Sequence, residues 1–221
     1  AIIFDATTGV SKQYFIEHLA TLEMVKQNFK ESRESAAKGK GYLVHEMCTG
    51  FDYVGDEQRL PHCSFAHKKF TNFLFSERQR RGGHFGFHIH AGEVYSNDEQ
   101  FLTVHMGVMS TAICQILDAY CAWWKHHNPL ETDPPKKCPP PLRIAQGSGF
   151  LPFLQKYSLE TLPTDSTAKP PQSIDAFLAK IRGTLRKIYD LRIPFEVCPT
   201  WNACLMGTQQ LSGEALGIFL R

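Results

Sequence analysis

No C-x-x-C pair occurs in the 221 residues, and the seven cysteines (48, 63, 114, 121, 138, 198 and 204) are odd in number. That spacing argues against both a zinc ribbon and a disulfide scaffold. It favours reduced thiols in an intracellular compartment, cytoplasm or organelle matrix, over secretion. A surplus of one charge is also missing. Twenty-four Lys and Arg against 22 Asp and Glu leave a formal charge of +2, so nothing calls for a nucleic-acid partner. No G-x-G-x-x-G turn follows a strand, which weakens a dinucleotide-binding reading. No G-x-S-x-G elbow exists for a serine hydrolase. The chain starts at Ala1 without a basic region and apolar run behind it, so either a leader has been removed or this is a piece of something longer. The one long apolar run, Phe101 to Trp124, could span a bilayer by length. It carries His105, Gln115 and Asp118, whose cost in lipid makes it a buried helix and predicts no membrane insertion.

What is present alternates. Ile2–Phe4 reads as a strand, and Ser11 caps a helix with Phe15, Leu19, Leu22, Val25 and Phe29 on one face. Tyr42–Val54 reads as a strand, Phe65–Arg81 as a helix stopped by Gly82-Gly83, Phe85–Ala91 as a strand and Phe101–Trp124 as a helix. A proline-rich loop over 125–141 leads to a strand at Leu142–Ile144, and a second insertion covers about 163–172. Ser173 then caps a helix with Ile174, Phe177, Leu178, Ile181, Leu185, Ile188 and Tyr189 inward, ahead of a strand at Ile193–Cys198. Strand–helix alternation of this kind predicts parallel strands with crossover helices, in a doubly wound sheet or a (β/α) barrel. Asp52, His88, His90, Glu93, Gln146 and Asn202 fall at predicted strand C-terminal ends, where a barrel keeps its active site.

The strongest local signal is His88-Ile89-His90-Ala91-Gly92-Glu93. Residues two apart on a strand share a face, so His88 and His90 point the same way. They form either a metal-ligating pair with a carboxylate three residues on, or a pair of hydrogen-bonded histidines at a strand end. His84, His126 and His127 read as solvated, His45 as a core residue, and Cys198 as a buried thiol rather than a nucleophile.

Four motifs then stand in order: GFDYVGDE at 50–57, HAGE at 90–93, RIAQG at 143–147 and IPFEVCPTWN at 193–202. Together they resemble the adenosine deaminase family, and its growth-factor-like branch more than the short cytosolic enzymes. The resemblance covers most of residues 42–221. It implies a single domain over residues 1–221, a (β/α) TIM-type barrel of the metal-dependent hydrolase kind. A full barrel takes eight units and about 250 residues, so the chain would carry an incomplete barrel. The implied reaction is zinc-dependent hydrolysis of adenosine to inosine and ammonia. By the same resemblance His90 is a zinc ligand, Glu93 is the acid that protonates the purine ring, and Gly55 contacts the purine through its backbone. His88 has no ligand role in the family pattern.

Three departures qualify that expectation. No H-x-H pair precedes residue 88, no terminal pair of aspartates is reached, and Gln146 stands where the family carries the histidine that orients the attacking water. Glutamine cannot share a proton near neutral pH. Weak or absent turnover is therefore expected, with two alternatives: an adenosine deaminase-like protein acting on a purine nucleoside, or a catalytically inactive subunit. In either case the remaining barrel segments or a protein partner are expected to cover the open strand edges.

Overall fold

The structure, a computed structural model, describes residues 2–5, 12–39, 48–54, 68–93, 96, 98–130, 142–150, 152–153 and 173–196. It is mixed α/β. Strands β1 (Ile2–Asp5), β2 (Gly50–Val54), β3 (Gly86–His90), β4 (Leu142–Ala145) and β5 (Phe195–Glu196) form one parallel sheet in the order β1-β2-β3-β4-β5. Between them run α1 (Lys12–Ala37), α2 (Lys68–Arg80), α3 (Glu99–His127) and α4 (Ile174–Asp190), each in a different crossover. Parallel neighbours need such long connections, and helices supply them. The order never reverses among the described strands, so this part of the chain has no doubly wound switch point.

One core holds the sheet to all four helices. Phe51, Phe87, Ile89, Leu142 and Ile144 turn inward and join Leu22, Val25 and Phe29 of α1, Phe70 and Leu74 of α2, Met106, Ile113 and Leu117 of α3, and Ile181 and Leu185 of α4. Burying each such side chain contributes about 1.5–3 kcal/mol. Phe51 centres the aromatic packing, edge-on to Phe85 and Phe87 with centroids 5.2 and 6.5 Å away. β2 and β3 start at Gly50 and Gly86, which are register partners; a Cβ on Gly50 would lie 2.5 Å from the Gly86 carbonyl oxygen.

Ends of elements follow local chemistry. Asp98 caps α3 by accepting from the amides of Gln100 and Phe101, and Ser173 caps α4 by accepting from Ala176, as its position in sequence predicts. α2 stops where Gly82 and Gly83 take φ of 59° and 94°, and the Gly83 amide returns to the Arg78 carbonyl. The expected proline-rich loop from 125 begins later, because α3 runs on through His127. Lys125, His126 and His127 suit the negative end of the helix dipole, and the Nδ1 of His127 donates to the Trp123 carbonyl. His84, His126 and His127 are exposed, as expected. Of the strand expected over Tyr42–Val54, the described part pairs over Gly50–Val54; residues 42–47, the insertion near 163–172, and His45, Gly55, Cys198 and Asn202 lie outside the described residues.

α3 is buried almost all round. It passes the length and composition test for a membrane span, yet 72% of that apolar window is packed inside the protein, against the sheet on one side and α4 on the other. The seam with α4 carries a polar relay: Thr184 donates to the Ser110 carbonyl and lies 3.0 Å from Cys114 Sγ. With its single proton committed, Thr184 accepts from the thiol. Burial pushes the Cys114 thiol up, against that contact, so Cys114 is a packing residue.

Candidate functional site

The sheet has two unlike faces because strand side chains alternate. Phe51, Phe87, Ile89 and Ile144 go to the helices, so Asp52, His88, His90 and Arg143 go to the other face. Parallel register then sets the neighbours: Asp52 beside His88, His88 beside Arg143, His90 beside Ala145, and Ala145 beside Glu196. Four strands thus build one polar row.

Its hub is His88. Nδ1 lies 2.9 Å from Asp52 Oδ1, and Nε2 lies 2.8 Å from Glu196 Oε2. The other Glu196 oxygen accepts from Arg143 at 2.5 Å. The His90 ring stands edge-on to His88 with centroids 5.2 Å apart. Its Nε2 is 3.7 Å from Asp52 Oδ1 and its Nδ1 is 3.8 Å from Glu93 Oε2. Both separations exceed a hydrogen bond. The four side chains Asp52, His88, His90 and Glu93 keep only 20% to 28% of their surface in water, which leaves their charges partly screened.

Backbone contacts join the motif-bearing segments behind this row. The Ala91 amide of HAGE donates to the Ala145 carbonyl of RIAQG at 3.0 Å, and the Gln146 amide donates to the Glu196 carbonyl of IPFE at 2.9 Å. The Gly149 amide reaches the Gly92 carbonyl at 2.6 Å. Gly92 has φ of 89°, and a Cβ on Gly149 would meet Met106 Sδ at 2.8 Å, so this approach requires glycine on both sides. Gln146 takes φ of 60°, a conformation costly for a residue with a side chain. The strain sits where β4 leaves the sheet, directly beside the polar row.

The residues expected from sequence distribute as follows. His90 ends β3 and Glu93 follows it by three residues; Gln146 follows β4 directly. Asp52 and His88 lie in mid-strand rather than at strand ends, and still belong to the same group. His88 has no ligand role in the family pattern, and here it makes close side-chain contacts to two carboxylates, Asp52 and Glu196. Glu196 and Arg143 had no role in the sequence reading. Their positions on the outward phase of Arg143-Ile144 and Phe195-Glu196 were the available signal, since register cannot be read from one strand alone.

A metal ion finds suitable donors. One atom each from Asp52, His88 and His90 lie within 4.8 Å of one another, two imidazoles and a carboxylate. Catalytic zinc takes such sets, three protein ligands with an open position for water. The donors therefore fit the zinc that the resemblance implies. Comparison of the chain with protein-family models, with curated proteins and with solved structures finds no match.

Proposed function

We propose that this chain is an adenosine deaminase-like protein, and that its sheet and helices are part of the wall of a (β/α) barrel of the metal-dependent hydrolase kind. The observation that carries the reading is the convergence of HAGE, RIAQG and IPFE through the backbone hydrogen bonds from Ala91 to Ala145 and from Gln146 to Glu196, at the C-terminal ends of parallel strands. A shared site at the C-terminal ends of parallel strands needs such a meeting, and in that sense it supports the reading.

The reaction is hydrolysis of the 6-amino group of a purine nucleoside, consuming water and releasing ammonia. Zinc, when bound, supplies a water activated near neutral pH. His90, by the resemblance, would hold that ion at the C-terminal end of β3. Glu93, half-buried and beyond hydrogen-bond distance of His90, gives a proton to the ring nitrogen beside the attacked carbon. Gly55, by the resemblance, contacts the purine through its backbone. Gln146 can hydrogen-bond a water but cannot take its proton, so turnover is slow. The same glutamine favours a second reading, in which the chain keeps the nucleoside site and serves a larger assembly without turnover.

Ultraviolet assay of adenosine loss by the zinc-loaded chain separates the two. The deaminase reading expects slow turnover that Glu93→Gln abolishes and Gln146→His raises by about 10²-fold or more. Absence of turnover in both the zinc-loaded chain and Gln146→His overturns it and leaves the non-catalytic reading.

A further inference from the structure

We infer that His88 is itself a metal ligand, and that the chain carries a divalent-cation site made by two neighbouring strands: Asp52 from β2, with His88 Nδ1 and His90 Nε2 from β3. The ion is of the zinc class, which takes mixed imidazole and carboxylate donors. Nothing in the deaminase resemblance assigns Asp52 or His88 to a metal. The inference does not depend on the nucleoside reading, because it concerns binding of the ion alone.

Geometry argues for it in three ways. First, donors around a tetrahedral ion bound at 2.0–2.1 Å stand about 3.3 Å apart. Asp52 Oδ1 lies 2.9 Å from His88 Nδ1 and 3.7 Å from His90 Nε2, which brackets that spacing. Second, each ring has a carboxylate towards its far nitrogen, within hydrogen-bond distance for His88 only. His88 Nε2 meets Glu196 at 2.8 Å, and His90 Nδ1 faces Glu93 at 3.8 Å. Metal-bound histidines place their other N–H against a carboxylate or carbonyl, which fixes the tautomer and aims the free lone pair at the ion. Here the nitrogen of each ring that would meet the ion is the one facing Asp52, and on His88 the ion would replace the proton shared with that carboxylate. Third, Arg143 holds the second oxygen of Glu196 at 2.5 Å. A carboxylate anchored in this way orients His88 and is kept from competing for the ion.

The sequence places H-x-H at 88–90, on one face of β3. Asp52 is the register partner of the first of these histidines, so the strand pairing supplies the carboxylate. Glu196 and Arg143 are positioning residues, acting on the ion through His88.

The test uses the full chain stripped with chelator and titrated with zinc alone, followed by cobalt alone for its visible spectrum. One equivalent should bind, with cobalt bands of the intensity given by four- or five-coordination. Asp52→Ala, His88→Ala and His90→Ala should each abolish that equivalent. Glu196→Gln should weaken it by about 10- to 100-fold and leave the stoichiometry at one, a loss that a purely structural role would not produce. Circular dichroism of the metal-free variants shows whether each has folded, and Glu196→Gln keeps the test open if a ligand variant has not. Absence of binding by the wild type overturns the inference. So does binding that survives His88→Ala, or that disappears instead with His126→Ala and His127→Ala on the exposed end of α3. Metal binding without adenosine turnover in either the zinc-loaded chain or Gln146→His would leave this inference standing and end the deaminase reading; turnover by a His88→Ala variant that still binds one zinc would do the reverse.

Discussion

Two clusters of acids and bases sit at opposite sides of the same sheet, and they behave differently. On the helix side, Glu77 of α2 is buried, 7% exposed, and held by Arg33, Arg80 and Arg81 at 3.4, 2.7 and 3.2 Å. Arg81 is itself wedged over the Phe29 and Phe85 rings and donates to the Cys48 carbonyl. On the open side, Asp52, His88, His90 and Glu196 keep more contact with water and leave a common space between three donor atoms. Among the described residues Glu77 pairs with guanidinium groups, and these cannot give up their protons or bind a metal. The open side pairs carboxylates with imidazoles, which can do both. Ion pairs of similar length thus form a structural clamp in one place and a candidate reactive site in the other.

Mutation should separate the two clusters. Glu77→Ala strands a buried Arg81 and should cost about 3 kcal/mol, read as a lower denaturation midpoint, with zinc binding unchanged. An unchanged midpoint would mean that the clamp is ornamental. Gly107→Ala comes next, at about 1–3 kcal/mol, because the new methyl would lie 2.2 Å from the Phe177 ring across the α3–α4 seam. His88→Ala should cost below about 1 kcal/mol of stability in the metal-free chain while removing metal binding, the inverse of Glu77→Ala.

Acid stability gives a further contrast. Burial pushes the Glu77 carboxyl up, but the hydrogen bonds and charges of Arg80 and Arg81 outweigh it and hold the group below its ordinary value. A lowered folded-state value stabilises the protein above the unfolded carboxylate's value of about 4.3, and that stabilisation is lost as pH falls through the lower folded value. Glu77→Gln should therefore flatten the acid limb of a stability–pH curve; an unaltered limb would place the acid-labile group elsewhere. At the alkaline end the smallest effect is expected. Burial lowers Lys187, but its hydrogen bond to Asp118 raises it above the ordinary value overall. Its contribution is present at neutral pH and fades only as pH climbs through that raised value. Lys187→Met should cost under about 1 kcal/mol, since Asp118 keeps 42% of its side chain in water, which screens the pair.

Much of this architecture was legible in the residues. The strand–helix alternation predicts parallel pairing, Ser173 announces its helix, and the period of two puts His88 and His90 together. Errors came where long-range contacts overrule local pattern. Ile174 and Tyr189 match the apolar period of α4, yet both stay over a third exposed, because they lie at its two ends. The charged residues after Trp124 look like loop but continue α3, since they suit its C-terminal dipole. Glu196 and Arg143 could not be recognised as partners of His88 from any one segment. Their contact depends on the register of three strands that are far apart in sequence, 53 residues between Arg143 and Glu196 alone.

A crystal of the full chain grown with zinc, with diffraction collected on both sides of the zinc absorption edge, tests the central claim most directly. The account predicts one anomalous peak bounded by Asp52, His88 and His90, with Glu196 on the far nitrogen of His88. A peak at another place, or His88 and His90 on opposite faces of their strand, would contradict it.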